Sequence, residues 1–146
     1  MSLIERERIL TMIPHAGAMC LLDAVLAWDE ISVRCLSRRY RDNDNPLRRA
    51  DGVLGTATGI EIAAQAMAVH GRLISKATDR PSGGYLASLR DVTLRAGRLD
   101  ALDGDLTVDA TRLMGDAQGA AYRFVLTVQG AELLSGRATV LFGFGA

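Results

Sequence analysis

The sequence has few cysteines, few aromatic residues and no excess of charge of either sign. Its two cysteines, Cys20 and Cys35, lack the spacing of a zinc site, and we expect them to be reduced, buried, small hydrophobic residues. The 17 basic and 17 acidic residues give a formal net charge of zero, whereas general affinity for nucleic acid needs a basic surface. The sequence therefore disfavours disulfide-stapled, zinc-binding and nucleic-acid-binding classes, and we expect no bound metal.

A long uninterrupted apolar run is also missing. The first ten residues contain the charged run Glu5–Arg8, which does not resemble the apolar segment of a signal peptide. The longest apolar stretch, residues 52–71, is interrupted by Glu61, Gln65 and His70, which makes it a poor membrane span. With 49% hydrophobic residues and no repeat or linker, residues 1–146 are expected to form one cytoplasmic domain with no membrane span.

Apolar spacing predicts short strands on either side of one helix. Residues 3–13 have the pattern of a short amphipathic helix, and residues 41–55 are rich in turn formers. Strands are predicted at residues 19–28, 31–40, 85–94, 106–113, 121–129 and 132–142.

The long helix is predicted over about residues 58–77. Thr58 can cap its start, and its first half is apolar on nearly every side, so it has to be enclosed by other elements. One enclosed helix among mostly antiparallel strands predicts an α+β hotdog fold, with a curved antiparallel sheet of about five to six strands wrapped around one long central helix.

Four segments, in order along the chain, resemble bacterial 3-hydroxyacyl-[acyl carrier protein] dehydratases. Residues 13–25 contain the Pro-His pair and the Leu-x-Asp-x-Val strand end of that family, and residues 59–66 resemble its central Glu-Ala-x-x-Gln helix. Residues 104–106 resemble its Gly-Asp turn, and residues 136–140 resemble its last strand. The resemblance implies a hotdog dimer that acts on thioesters of acyl carrier protein and needs no cofactor beyond the carrier's phosphopantetheine.

One motif of those dehydratases is absent. Their Gly-His-Phe-Pro-Gly loop carries the usual catalytic histidine, but counting back from Glu61 to that position reaches Leu47. No histidine lies between His15 and His70. In this respect the chain is similar to divergent dehydratase-like proteins of aryl-polyene and polyketide-type clusters.

Glu61 is the leading candidate for a catalytic residue. Its carboxyl lies in an apolar helix, where burial favours the protonated form that a general acid needs. Gln65 follows four residues later on the same helix face, where its amide would orient the carboxyl or bind substrate. The alternative is a buried structural carboxylate. His70 is expected on the opposite side of the helix as a packing residue.

His15 is the candidate base, because imidazole suits proton transfer near neutral pH. In the dehydratases that the chain resembles, the matching histidine is not the usual base, so a structural role is the alternative. Thr58 and Gly59, at the start of the helix, are candidates to bind the thioester carbonyl through backbone N–H groups.

Residues 38–49 form an arginine-rich loop. Arg48 and Arg49 are candidates to dock an acidic carrier protein or the phosphate of its pantetheine arm. An ordinary solvated loop is the equal alternative.

The predicted function is dehydration of a 3-hydroxyacyl thioester on acyl carrier protein to the 2-enoyl thioester. The chain would work as a homodimer, or as a heterodimer with another hotdog subunit. Two alternatives stay open: a non-catalytic subunit that pairs with an active dehydratase, and a thioesterase on the same fold. The sequence does not define the acyl chain length or the stereochemistry.

Overall fold

Seven strands and two α-helices make up the structure, a computed structural model that describes residues 3–13, 17–42, 44–75, 84–101, 103–116 and 118–142. In chain order the elements are β1 (Ile4–Glu5), α1 (Arg6–Ile9), β2 (Ala24–Trp28), β3 (Ser32–Ser37), α2 (Thr56–Ile74), β4 (Gly84–Leu94), β5 (Leu106–Gly115), β6 (Gly119–Val128) and β7 (Ala131–Phe142). Short 3-10 turns lie at Gly17–Met19, Arg39–Arg41 and Leu99–Ala101.

The strands form one antiparallel sheet in the order β1-β2-β3-β5-β6-β7-β4. One face of the sheet is apolar and packs on the core, because successive side chains of a strand point to opposite faces. In β6, for example, every second residue is buried. Gln129 and Gly130, both with positive φ, form the two-residue turn that returns β6 into β7. The apolar face created in this way covers α2.

Helix α2 packs against this face. Ile62, Ala66 and Met67 are buried within the core cluster. Gly59 permits the close approach, because a Cβ there would lie 2.8 Å from Leu134 Cδ2 and 3.1 Å from Leu126 Cδ2. The glycine therefore brings the start of the helix onto β6 and β7.

An antiparallel sheet with a helix is confirmed, although the helix runs over Thr56–Ile74 and not over residues 58–77. Among the described residues, the strand number is corrected from five or six to seven. The additional strand, β1, has two residues, too few to produce an alternating pattern. The predicted helix over residues 3–13 is also corrected, since only Arg6–Ile9 is helical. The first predicted strand begins at Ala24 and not at residue 19, because the preceding residues bond to side chains.

Within the described ranges, no helix combines the length and the hydropathy needed to cross a membrane. Among the same residues, no three histidine, cysteine or acidic side chains come together in a way that would hold a metal ion.

Candidate active site

Glu61 and Gln65 lie one turn apart on α2 and are in contact with each other. Gln65 is fully buried, Glu61 is half-buried, and Gln65 Nε2 donates to Glu61 Oε1 over 3.2 Å. The four-residue spacing places both side chains on one helix face, as the sequence predicts. The amide is therefore in a position to orient the carboxyl group.

The same amide fixes the loop that precedes β2, residues 17–23, which we call the site loop. Gln65 Oε1 accepts from the backbone N–H of Leu21 over 2.9 Å, and Gln65 Nε2 donates to the carbonyl of Met19 over 2.8 Å. Substrate binding by Gln65 stays a prediction. The contacts show that its amide already joins the site loop, α2 and Glu61.

Arg6 holds the site loop at three more carbonyls. Its Nη1 donates to Cys20 O over 2.7 Å and to Leu22 O over 2.8 Å, and its Nη2 donates to Gly17 O over 3.0 Å. Sequence reasoning missed this residue, because it counted Arg6 among the surface charges of an amphipathic helix. No spacing rule marks an arginine that binds backbone carbonyls far along the chain.

Neighbouring side chains fix the end of the site loop. Ser37 Oγ donates to Leu21 O over 2.6 Å. The Asp23 carboxylate accepts from the backbone N–H of Arg38 over 2.6 Å and from the Arg39 guanidinium over 2.9 Å. The path of the loop is thus set by side-chain hydrogen bonds as well as by packing.

The candidate base, His15, lies outside the described residues. On either side of it along the chain, Ile13 is buried and Gly17 bonds to Arg6. A catalytic role for His15 stays a prediction.

The start of α2 is packed against the sheet at Thr58 and Gly59. Thr58 is buried, and its N–H donates to Gly55 O over 3.1 Å. The space beside Gly59 is filled by leucine side chains, those of Leu134, Leu126 and Leu99. Binding of a thioester by these two residues stays a prediction, and the Thr58 N–H already has an acceptor.

The two arginines predicted to dock a carrier protein differ in their exposure and in their contacts. The Arg48 side chain is 17% exposed and binds the carbonyls of Asp42, Gly52 and Arg41, with Asp100 Oδ2 at 3.8 Å. The Arg49 side chain is 64% exposed, and its Nη2 donates to Asp51 Oδ2 over 3.5 Å. Docking stays a prediction for both residues. Arg48 binds backbone carbonyls of its own loop, whereas the guanidinium group of Arg49 is exposed to solvent.

Both cysteines are free and buried, as expected. Burial raises the pKa of the Cys35 thiol to about 12, so the sulfur is protonated at neutral pH. It is not an activated nucleophile.

Many solved structures resemble this chain, and three examples each cover more than nine tenths of it. A chain of the dehydratase heterocomplex ApeI:P from Xenorhabdus doucetiae has a TM-score of 0.83 and 23% identity, covering 93% of this chain and 91% of its own. A mutant thioesterase from Pseudomonas aeruginosa has a TM-score of 0.68 and 12% identity, covering 97% and 95%. A sigma28-regulated virulence protein from Campylobacter jejuni has a TM-score of 0.66 and 11% identity, covering 98% and 95%. At these identities the likenesses show a shared hotdog-type fold.

Comparison with curated proteins finds no match. The model of the family described as ApeP-like, ApeP dehydratase, matches residues 7–142, which is nearly the whole chain. This confirms the resemblance to dehydratases that the motifs indicate, and the chain belongs to the ApeP-like dehydratase family.

Proposed function

We propose that this protein removes water from a 3-hydroxyacyl thioester carried on acyl carrier protein and releases the 2-enoyl thioester. The observation that carries the proposal is the hydrogen bond from Gln65 to Glu61. It holds an ionisable carboxyl group in place on the enclosed helix of a chain that belongs to a dehydratase family. The sheet would curve around α2 as in other hotdog domains, and the protein would act in the cytoplasm.

The proposed step is a proton abstraction coupled to loss of the hydroxyl group. A base takes the proton from C2, and the electrons of that C–H bond form the C2=C3 double bond. As the C3–O bond breaks, the protonated carboxyl of Glu61 gives its proton to the departing oxygen, so the products are the enoyl thioester and water. Glu61 ends ionised and the base ends protonated, and a proton transfer between them restores the starting state.

Gln65 would hold the Glu61 carboxyl for this transfer, and His15 or a residue of a partner chain would be the base. The position of the site loop supports His15, because the Met19 carbonyl, four residues after His15, accepts a hydrogen bond from Gln65. Near Thr58 and Gly59, backbone N–H groups of the first turn of α2 other than that of Thr58, which already donates to Gly55 O, would stabilise charge on the thioester oxygen.

Glu61→Gln tests the acid. We expect the variant to fold and its rate of enoyl formation to fall by about 10²–10⁴-fold, since glutamine has no proton to transfer. The exposed Glu7→Gln is the matched control and should retain the wild-type rate. His15→Ala, assayed in parallel, should also abolish the reaction if His15 is the base. A Glu61→Gln protein with full activity would refute the assignment.

A second candidate function is that of a non-catalytic subunit. It is favoured by the missing loop histidine and by the likeness to a chain of a dehydratase heterocomplex. Wild-type protein that is inert alone, yet raises the activity of a co-purifying dehydratase, would establish this function and reject the catalytic one. Release of free acid from acyl thioesters would instead indicate a thioesterase.

A further inference from the structure

One peptide group of the site loop is bound from both of its sides. The peptide that joins Cys20 to Leu21 is trans, so its C=O and its N–H point in opposite directions. Arg6 Nη1 donates to the Cys20 carbonyl over 2.7 Å, and the Leu21 N–H donates to Gln65 Oε1 over 2.9 Å. This single peptide therefore connects the guanidinium group on α1 with the amide group on α2.

The connection continues to Glu61, because Gln65 Nε2 donates to Glu61 Oε1 over 3.2 Å. We call these three hydrogen bonds the Arg6–Glu61 series. Each group between its ends accepts a hydrogen bond from the side of Arg6 and donates one toward Glu61. Hydrogen bonds in series polarise one another, and the low dielectric of a buried site strengthens them. Cys20, Leu21 and Gln65 are all fully buried, so the positive charge of Arg6 strengthens the donor that binds Glu61.

The backbone of the site loop decides which atom of the Gln65 amide faces Glu61. The Leu21 N–H only donates, so its partner is the amide oxygen, and the Met19 carbonyl only accepts, so its partner is the amide nitrogen. The amide nitrogen has two hydrogens, of which one goes to Met19 O and the other to Glu61 Oε1. Because Oε1 accepts this bond, the proton of the neutral Glu61 carboxyl group belongs on Oε2.

Arg6 also holds the site loop on either side of this peptide. It donates to the carbonyls of Leu22 and Gly17, over 2.8 and 3.0 Å. Cys20 and Leu22 are fully buried, so their carbonyls would lose a donor that water does not readily replace if the guanidinium group were removed. We expect the loop, and with it the Gln65 amide, to move in that case.

We propose that Arg6 is a positioning residue for the acid Glu61, acting through the Cys20–Leu21 peptide and the Gln65 amide. It fixes the amide N–H that binds Glu61 Oε1, and it thereby directs Oε2, with its proton, toward the departing oxygen. This role rests on the proposed function, in which Glu61 protonates the leaving hydroxyl group. Lysine would replace Arg6 only in part, because an ammonium group lacks the planar fork of donors that reaches several carbonyls at once.

The first test is the steady-state kinetics of the full chain with a 3-hydroxyacyl thioester. Arg6→Gln should lower kcat by about 10- to 100-fold, because a small displacement of a reacting group has effects of this size, and it should leave KM unchanged. Arg6→Lys should lie between Arg6→Gln and the wild type. Arg8→Gln changes an exposed arginine of the same helix and should keep the wild-type kcat. A wild-type kcat in Arg6→Gln would overturn the proposal.

A double-mutant cycle shows whether Arg6 acts through Gln65. Gln65→Met removes the amide and should itself lower kcat. In that background Arg6→Gln should cause little further loss, because the series that leads to Glu61 is already broken. Losses that multiply would show that Arg6 acts independently of Gln65, and they would reject the proposed route.

A spectroscopic signature separates this proposal from the proposed function. The side-chain amide of Gln65 gives a proton–nitrogen correlation signal in NMR, which is identified by its absence from Gln65→Met. The signal should move in Arg6→Gln and stay in place in Arg8→Gln, whether or not the protein turns over a thioester. A shifted signal in an inert protein would support the connection from Arg6 to Gln65 and reject the dehydratase assignment on which the role of Arg6 rests. Wild-type turnover that depends on Glu61, with the signal and kcat unchanged in Arg6→Gln, would reject the role of Arg6 alone.

Thermal unfolding of each variant guards against trivial loss of structure, and the kinetic and NMR measurements are made well below the lowest Tm. If Arg6→Gln does not fold, Arg6→Lys takes its place, because it keeps the charge and part of the hydrogen bonding. A smaller decrease in kcat and a shifted Gln65 signal in Arg6→Lys would support the proposal. Wild-type values of both would overturn it.

Discussion

At the scale of single residues, His70 is a buried polar group whose two ring nitrogens both have hydrogen-bond partners. Its Nε2 lies 2.8 Å from the backbone carbonyl of Asp29, and its Nδ1 lies 2.7 Å from the hydroxyl of Tyr122. A carbonyl only accepts, so Nε2 carries the hydrogen and Nδ1 accepts the Tyr122 O–H. Burial lowers the pKa of His70 and raises the pKa of Tyr122 to about 12, and both shifts favour this neutral pair.

The lowered pKa of His70 predicts a loss of stability in acid. In the unfolded chain His70 titrates near pH 6.5. Below about pH 6.5, the imidazole therefore binds a proton in the unfolded state, whereas in the folded state it stays neutral down to its lowered pKa. The free energy of unfolding should therefore fall as the pH drops from about 6.5 toward the folded pKa, by at most about 1.4 kcal/mol per pH unit for this one proton. Urea unfolding at several pH values measures the slope.

His70→Gln removes the titrating ring and should reduce that slope, whereas His15→Ala is the control for the other histidine. An unchanged slope in His70→Gln would show that His70 is not the group responsible.

The helix face on which a side chain lies was predictable from the sequence, because it depends only on helix geometry. The spacing of Glu61 and Gln65 predicts a shared face, and His70 is a buried residue away from them, as predicted. The difference between Arg48 and Arg49 was not predictable, because it depends on which guanidinium meets backbone carbonyls of a folded loop. Sequence periodicity carries no information on such contacts.

At the scale of elements, the contact between α2 and the sheet depends on Gly59. An alanine there would favour the helix by about 1 kcal/mol but would overpack the core, which typically costs about 1–3 kcal/mol. Leu134, Leu126 and Leu99 are fully buried and have no solvent space into which to rotate, so overpacking should dominate. We expect Gly59→Ala to lose about 1 kcal/mol of unfolding free energy.

Chemical denaturation measures this loss, with Gly97→Ala as the control. A Cβ at Gly97 meets nothing within 4 Å, so that change should be nearly neutral. Equal stabilities for the two variants would mean that the leucines move aside without penalty.

The elements around the site loop were the least predictable. Apolar residues from Met19 to Leu22 have the composition of a strand, but their backbone groups bond to the side chains of Arg6, Gln65 and Ser37. Side-chain hydrogen bonds to distant backbone groups have no period along the sequence. The helix α2 and the strands β5 to β7 have such periods, and their predictions agree with the structure.

At the scale of the whole molecule, the sheet has two unequal edges. Strand β1 has two residues, whereas β4 has eleven and exposes Leu86, Leu89 and Leu94. A long apolar edge strand is a site for association with another chain. We therefore expect at least a dimer, formed with a second copy or with another hotdog subunit.

Light scattering of the purified protein at micromolar concentration measures the assembly. Leu89→Lys should shift it toward the monomer, because a lysine opposes edge pairing. Leu113→Lys, an exposed leucine of the interior strand β5, is the matched control and should leave the assembly unchanged. A wild-type monomer would contradict the expectation.

The fold class was predictable, but the strand order was not. An enclosed helix among alternating strands restricts the chain to few architectures, and the hotdog type is among them. Strand β4 lies beside β7, and β3 lies beside β5, although each pair is separated by other elements. These long-range pairings depend on how the apolar faces fit together in three dimensions, which a pattern of single residues does not encode.

The strand order has a consequence for synthesis on the ribosome. The N-terminal part emerges first, yet among the described strands β4 pairs with β7 alone, the last of them along the chain, and β3 requires β5 as its second neighbour. Until residues 131–142 leave the exit tunnel, the eleven residues of β4 have no strand to bind. The nascent chain must therefore keep the apolar segment of β4 unpaired until β7 has been made, and only then can it complete this sheet.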